Sequence, residues 1–553
     1  MPYRYTVAAP EHAAQIHALN HATFAGEIPQ HAPTADGVLI DRFHADNTYL
    51  VALDGATVAG MLALRTARPF SLDAKLPDLD AHLPSEGPVV EIRLLAVRPE
   101  RRHGRAFFGL MAYAARWMVH AGYRVAIISG TTRQTGLYER MGFRPFGPRV
   151  GHDGAWYQPM LTTLDDTVRT LPELLPDVPE DALSFLPGPV ALHPSVAAAM
   201  AQPPVSHRGE AFAALHARVV AGLAARLGLP HVALMLGPGT LANDVVAAHL
   251  AAWGALGLVL SNGAFGERLA DHAHRHGLAH EVLRAPWGAP LPFADVAERL
   301  RSLPRPAWVW AVHGETSTGV LNDVPHLAAL AAEHGAQLCI DAVSTVGAVP
   351  TDFSGALMVS GVSGKALGSM AGLAFVAYDA LPPASRPIPA SLCLAASAAA
   401  GGIPSTSSSP LLAALDAALV RADDARMARL QRQGLGVRQA LCERGFTLVA
   451  PDDAVLPTVQ TVALASPEEA ETVGARLAAL GILVSYQSAY LRARGWLQLC
   501  TMGEQTDAQV GAALEAFCAA VRVERAAPCN ANEAPRPEPE RLGDDGVGAV
   551  TRR

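Results

Sequence analysis

Lys365 stands among glycines and serines in MVSGVSGKALGSMAG, downstream of Asp341 in QLCIDAVSTVGAVP. A lysine can form a Schiff base with an aldehyde, and burial or nearby cations lower its pKa toward reactivity. Asp341 follows an apolar strand, at the carboxyl end of a parallel sheet, where such folds bind ligands. A carboxylate there can hold the proton of a pyridine nitrogen, or it can cap the next helix. In LMLGPGTLANDVVAAHL a strand runs through Gly237, Pro238, Gly239 and Thr240 into a helix. Closely approaching amides and a helix N-terminus suit a phosphate there, although an ordinary strand-to-helix turn has the same composition. Lysine, carboxylate and phosphate cradle, with a flat side chain against the ring, are what pyridoxal phosphate requires.

A second set lies near the N-terminus, in VVEIRLLAVRPERRHGRAFFGLMAYAARWMVHAGYRVAIIS. A strand passes through RRHGRA into an amphipathic helix, and the amides around Gly104 with the helix N-terminus would suit a pyrophosphate. Glu91, on the strand before that loop, is the candidate general base for an incoming amine; a plain salt bridge with Arg93 or Arg98 is the competing role.

The elements that must position these residues follow from the patterning. At 553 residues the chain exceeds one ordinary core, and half of it is hydrophobic. Residues 1–165 alternate strand-like runs with helical patterns as one α/β unit. Prolines at 172, 176, 179, 187 and 189 break periodicity, and the linker is expected over 166–183. Over 184–430 apolar strands alternate with Ala- and Leu-rich helices, which predicts a large doubly wound domain with a mostly parallel sheet. Residues 411–440 read as one long helix, 431–522 as a smaller α/β lobe, and 523–553 as a disordered tail too polar to fold alone.

The net charge of -8 and pI near 6.2 supply no basic field for nucleic acid or anionic lipid. Six cysteines between 339 and 529 show neither disulfide nor zinc spacing and read as reduced thiols; no metal site is expected. No N-terminal signal and no membrane-length apolar run is apparent, so the expectation is a soluble, cytoplasmic protein.

FLPGPVALHPSV, SHRGEAF, GPGTLAND, SNGAFGERL, VHGETSTGVLND, IDAVSTVGAVP and SGKALGSMAGLAFVAYD together resemble the class V aminotransferases, particularly the alanine-glyoxylate, serine-pyruvate and 2-aminoethylphosphonate-pyruvate members, in the order that family uses. The resemblance spans about 183–522 and implies a pyridoxal phosphate fold type I domain. It implies Gly239 and Thr240 on the phosphate, Phe265 stacked on the ring and Thr316 near the ring oxygen. Asp341 would pair with the ring nitrogen, with Val343 beside it, and Lys365 would be Schiff base and proton shuttle. It also implies a homodimer, in which Thr406 of GIPSTSSSP would reach the neighbouring subunit's phosphate.

The chain departs from that pattern at WLQLCTMGE, where Gln498 occupies the place of a carboxylate-binding arginine. Glutamine offers no Coulomb attraction to a carboxylate. Arg492 or Arg494 could substitute, or both could sit on an exposed turn, and the reaction could instead be that of a lyase or decarboxylase.

Arg101, Gly104 and Ala106 resemble the R-x-x-G-x-A signature of the GNAT acyltransferases over about residues 3–160, and TGLYERMGFRPFG resembles their closing motif, which implies Tyr138 as proton donor to the leaving thiolate. ATFAGEIPQH resembles the N-acyl amino acid and acyl-homoserine lactone synthase branch. Acyl-CoA or an acyl carrier protein is the implied co-substrate. The fused chain is expected to be a bifunctional aminotransferase and N-acyltransferase, the alternative being a lyase or decarboxylase with a non-catalytic acyl-CoA-binding regulatory domain.

Overall fold

Apolar strands separated by amphipathic helices give this α/β chain two large sheets, each with its own core. The computed structural model describes residues 3–28, 30–85, 87–102, 105–152, 155–174 and 182–526. Among them no helix is long and apolar enough to cross a membrane.

The first sheet contains β1 (Arg4–Val7), β2 (Thr48–Asp54), β3 (Thr57–Arg65), β4 (Val89–Val97), β5 (Val125–Thr131), β6 (Arg144–Pro145), β7 (Val150–His152) and β8 (Ala155–Thr163). Their order is β1-β2-β3-β4-β5-β8-β6, with β7 also on β8. All neighbours are antiparallel except β4 and β5, which pair in parallel only from Val89↔Val125 to Ile92↔Ile128. Beyond Ile92, β4 follows β3 while β5 stays on β8 as far as Thr131, so the two strands part. Leu94, with φ of 53°, lies in β4 just past the parting point. The helix Arg105–His120 covers this sheet with the buried stripe Ala106, Leu110, Ala114 and Met118.

The second unit opens with β9 (Leu183–Phe185) and builds a seven-stranded sheet from β10 (His231–Leu236), β11 (Leu256–Ser261), β12 (His280–Arg284), β13 (Ala307–Val312), β16 (Ala336–Asp341), β17 (Ala356–Val362) and β18 (Leu373–Tyr378). A two-strand ladder, β14 (Gly314–Glu315) and β15 (Val320–Leu321), carries the turn between them to the rim of that sheet. The sheet order is β10-β18-β17-β16-β13-β11-β12, with only β18 antiparallel to its neighbours. The register Val312↔Asp341↔Ser360 sets three carboxyl ends on one edge. The helices Gly239–Trp253 and Ala264–Arg275 start from that edge as well.

The small lobe contains β19 (Thr447–Leu448), β20 (Val459–Ala463), β21 (Ile482–Val484) and β22 (Trp496–Cys500), covered by the helices Pro467–Ala479 and Asp507–Ala526. β9 pairs in parallel with β21, so the start of the second unit belongs to this lobe rather than to the large domain.

Three expectations change. The linker placed at 166–183 is helical over Leu164–Leu174: Val168 and Leu171 are buried against the lobe, and Pro172, in the last turn, forfeits little of the hydrogen-bond ladder. Residues 175–181 of that linker lie outside the described residues. The long helix expected over 411–440 is two helices, Ser409–Arg421 and Asp424–Glu443, because Asp423 accepts from the Arg426 amide at 2.8 Å and starts a new one. The boundary set at 430 consequently falls inside a helix. The last helix continues to Ala526, three residues into the tail expected from 523, and residues 527–553 lie outside the described residues.

Candidate active sites

The carboxyl edge of the second sheet collects the lysine, the carboxylate and the glycine turn. Asp341 closes β16 and is buried; one carboxylate oxygen accepts from the Asn243 amide at 2.8 Å and the other from the Val343 backbone amide at 2.9 Å. Asn243 is in turn fixed by Ser360, whose hydroxyl donates to its carbonyl at 2.6 Å. Lys365 lies past the end of β17, and its Nζ donates to Ser344 Oγ at 3.0 Å; the Ser344 hydroxyl also bonds Thr316 Oγ1. Burial lowers the Lys365 pKa and Arg268 adds to this, while Asp341, Cys500 and Glu315 oppose it. The Nζ stands 5.2 Å from the centroid of the Phe265 ring.

Gly239 and Thr240 are the first residues of their helix, where backbone amides have no intrahelical acceptor. A Cβ at Gly239 would come within 3.0 Å of the Val343 side chain, so glycine keeps the turn close to the residue that follows Asp341. Phe265 is held by Glu315, whose buried carboxylate accepts from the Phe265, Gly266 and Ser317 amides at 2.9 to 3.1 Å and from the Ser317 hydroxyl at 2.5 Å. Burial pushes the Glu315 pKa up, opposed by these bonds. Lys365, Asp341, Val343, Gly239, Thr316 and Phe265 thus share one rim. Thr240 is exposed at the helix start, and Thr406 lies exposed on the segment before Ser409–Arg421, outside that gathering in its own chain.

Gln498 does not offer itself to a substrate. It is fully buried in β22, with its amide nitrogen on the carbonyls of Thr316 and Ser317 and on Thr461 Oγ1, the last at 2.9 Å. It clamps the β14–β15 turn to the small lobe, which corrects its expected role as a substrate ligand. Arg494 is exposed and stacks 3.7 Å over Trp287, in a group of rings linking Trp496, Trp287, Tyr490 and Phe265. Arg492 pairs with Glu471 at the surface.

Sequence reasoning missed Asn243, Ser344, Glu315 and Arg268. Arg268 lies 4.8 Å over the Phe265 ring and has no ion-pair partner among the described residues. The fragment NGAFGERL already placed it one helical turn from Phe265, which was the available signal.

In the first unit Glu91 is fully buried. Its oxygens accept from the Ser71 amide at 2.6 Å, the Ser71 hydroxyl at 2.5 Å and the Leu72 amide at 3.1 Å, with Arg93 Nε at 3.7 Å. This carboxylate anchors the 68–76 loop, and the role of general base facing a substrate amine does not fit it. Arg101 pairs with Asp54 at 2.7 Å, and Ala106 is buried in the first turn of its helix. Gly104 lies outside the described residues. Tyr138 packs its ring over Gly130 and bonds Thr131; burial pushes its pKa up, so the phenol keeps its proton at neutral pH.

Residues 15–165 match the family model N-acyl amino acid synthase FeeM, and residues 290–372 match Aminotransferase class-V. The small subunit of the soluble hydrogenase of Synechococcus sp. is 33% identical over 207 residues, covering 36% of this chain and 54% of that protein. The 2-aminoethylphosphonate–pyruvate transaminase of Pseudomonas putida is 36% identical over 150 residues, 26% of this chain and 40% of that one. The chain thus spans about half, or less, of the length of these curated relatives. The solved alanine–glyoxylate aminotransferase of Nostoc sp. superposes with a TM-score of 0.57 at 26% identity, covering 63% of this chain and 96% of that chain. This chain therefore joins an N-terminal acyltransferase-type domain of the FeeM N-acyl amino acid synthase family to a class V aminotransferase domain of the pyridoxal phosphate type I fold.

Proposed function

We propose that the protein is bifunctional: a pyridoxal phosphate-dependent aminotransferase acting between a small amine or amino acid and a 2-oxo acid or aldehyde, fused to an N-acyltransferase that takes its acyl group from acyl-CoA or an acyl carrier protein. The observation that carries the first half is the half-buried Lys365, 3.0 Å from Ser344 Oγ on the rim that also bears Asp341.

The donor set fits the cofactor. Asp341 supplies an anion fixed by Asn243 and Val343, Gly239 and Thr240 supply free helix-start amides for the phosphate, and Phe265 supplies a ring face beside Lys365. When bound, pyridoxal phosphate supplies an electron sink for the α-carbon of an amine. The chain's own part is positional and acid–base. Lys365, held below the ordinary lysine range, can lose and regain a proton at Nζ, and Ser344 and Thr316 hold that nitrogen in place. Asp341, as an anion, would accept the proton of the ring nitrogen in a hydrogen bond, and the Glu315 bonds to the Phe265 and Gly266 amides fix the start of the helix that carries Phe265.

A homodimer in which Thr406 reaches the neighbouring site is part of this proposal. The engagement of Gln498 in the clamp, with no guanidinium on β22, favours a second reading, lyase or decarboxylase chemistry on the same lysine. Spectra of the purified chain reconstituted with pyridoxal phosphate test the first reading. The wild type should show the visible band of lysine-bound cofactor, and Lys365→Ala should lack it. Conversion to the pyridoxamine form by alanine, serine or 2-aminoethylphosphonate supports transamination; release of carbon dioxide or of an unsaturated product instead would establish the second reading.

A further inference from the structure

The parting of β4 and β5 holds a group of ionisable side chains that no role described so far uses. Ser129 is the first residue of β5 beyond the last paired position, and Arg93 is its counterpart on β4. Lys75, on the 68–76 loop, reaches into this opening: its Nζ lies 3.2 Å from Ser129 Oγ and 4.7 Å from the centroid of the Tyr157 ring on β8. Lys75 is solvent-accessible, and no carboxylate pairs with it among the described residues. Glu91, the nearest candidate, is consumed by Ser71 and Leu72, and Asp41 is consumed by Arg93 at 2.7 Å. Tyr138, the proton-bearing phenol, packs on Gly130 and bonds Thr131, the next two residues of the same strand end.

We propose that Lys75 is the catalytic base of the acyltransferase domain, taking the proton from the acceptor amine at the β4–β5 opening while Tyr138 protonates the departing thiolate. The proposal rests on the acyltransferase reading above. Neutral Lys75 Nζ takes a proton from the acceptor ammonium and passes it to solvent; the freed amine attacks the thioester carbon, and as C–N forms and C–S breaks the nitrogen gives its second proton to Lys75. The thiolate takes the Tyr138 proton, and the resulting phenolate is neutralised by the proton left on Lys75, so both groups return to their starting states. Partial desolvation beside Ser129 and Tyr157 lowers the Lys75 pKa, Arg93 and Arg42 add to this, and Glu91 opposes it. Ser129 and Tyr157, both uncharged, also face it.

The test uses the full-length protein, decanoyl groups supplied on CoA and on acyl carrier protein, and an equimolar mixture of amino acids, with N-acyl products measured by mass spectrometry. Lys75→Met should lower turnover by about 10²-fold or more, the usual contribution of general base catalysis. Lys75→Arg should be equally impaired, because a guanidinium stays charged. The wild-type rate should rise with pH and level off below the ordinary lysine range, and the levelling should vanish in Lys75→Met. Restoration of the rate by arginine would show a purely electrostatic or structural role and overturn the proposal. So would an unchanged pH profile in a folded Lys75→Met protein, or an acyl group found on Lys75 itself, which would make it a nucleophile. No N-acyl product from wild type with either donor removes the acyltransferase reading and this proposal together; product unaffected by the substitutions removes the proposal alone.

Discussion

At the scale of single residues, the second site is held by buried polar side chains whose removal orphans their partners. Gln498 is the sharpest case, since its amide nitrogen serves two backbone carbonyls and a threonine hydroxyl in a place with no water access. Gln498→Leu keeps the volume and leaves those acceptors unpaired. A loss of about 1–3 kcal/mol is expected in denaturant unfolding, the ordinary penalty for buried unsatisfied groups. His313 makes a different prediction. Its backbone amide donates to the Asp341 carbonyl at 2.8 Å, its ring bonds Thr345 Oγ1 at 2.8 Å, and burial lowers its pKa to about 4. The unfolded state binds the proton at the ordinary histidine pKa near ~6.5, so between that value and about 4 the unfolded chain carries more protons than the folded one. Stability should therefore fall as pH drops through this window, by about 3 kcal/mol from this group, and level off below it. His313→Asn should flatten that part of the stability–pH curve.

At the scale of elements, close approach decides which strands can stack. Gly257 of β11 has no room for a side chain: a Cβ would fall 2.0 Å from the ring of Trp308, itself fully buried in β13. Gly257→Ala forces β11 and β13 apart in the middle of the sheet, and overpacking of this kind costs about 1–3 kcal/mol. Thermal unfolding of the variant should begin at a lower temperature than wild type; an unchanged midpoint would mean that Trp308 has another place to go. The same logic separates what was legible in the sequence from what was not. Lys365, Asp341 and Gly239 could be read because each sits at a strand end, and alternation of strands and helices already implies that parallel strand ends share an edge. Glu91 was read as a base because only its own strand was visible; its partners Ser71 and Leu72 lie on a loop with no periodicity to announce where it folds back. Glu315 clamping Phe265, Gln498 reaching Thr316 and Lys75 reaching Ser129 have the same cause, contacts across long stretches of chain whose register appears only in three dimensions.

At the scale of the whole molecule, the acyltransferase domain is seated on the small lobe of the aminotransferase unit. Ala112 and Val119 of the helix Arg105–His120, with Leu164, Val168 and Leu171 of the next helix, share one apolar cluster with Val473, Leu477, Phe517 and Val521 of the lobe. Polar contacts frame it: Arg116 Nε donates to the Ala479 carbonyl at 3.0 Å, His120 Nε2 lies 2.9 Å from the Leu480 carbonyl, and Arg522 pairs with Asp165 at 2.7 Å. The helix that makes this contact also carries, at its other end, the loop read as the pyrophosphate cradle, and the lobe carries Gln498 and Tyr490 of the second site. The two should then unfold as one cooperative unit. Val168, with no exposed surface, is the residue to test, because an aspartate there places a charge inside the shared cluster without touching either site. In scanning calorimetry Val168→Asp should separate the acyltransferase domain's transition from that of the lobe and move it to lower temperature. Arg522→Ala, which removes only a half-exposed surface pair, should change stability by less than about 1 kcal/mol. Two separate transitions already present in the wild type, and left in place by Val168→Asp, would mean that the domains fold independently and that their contact transmits nothing between the two sites.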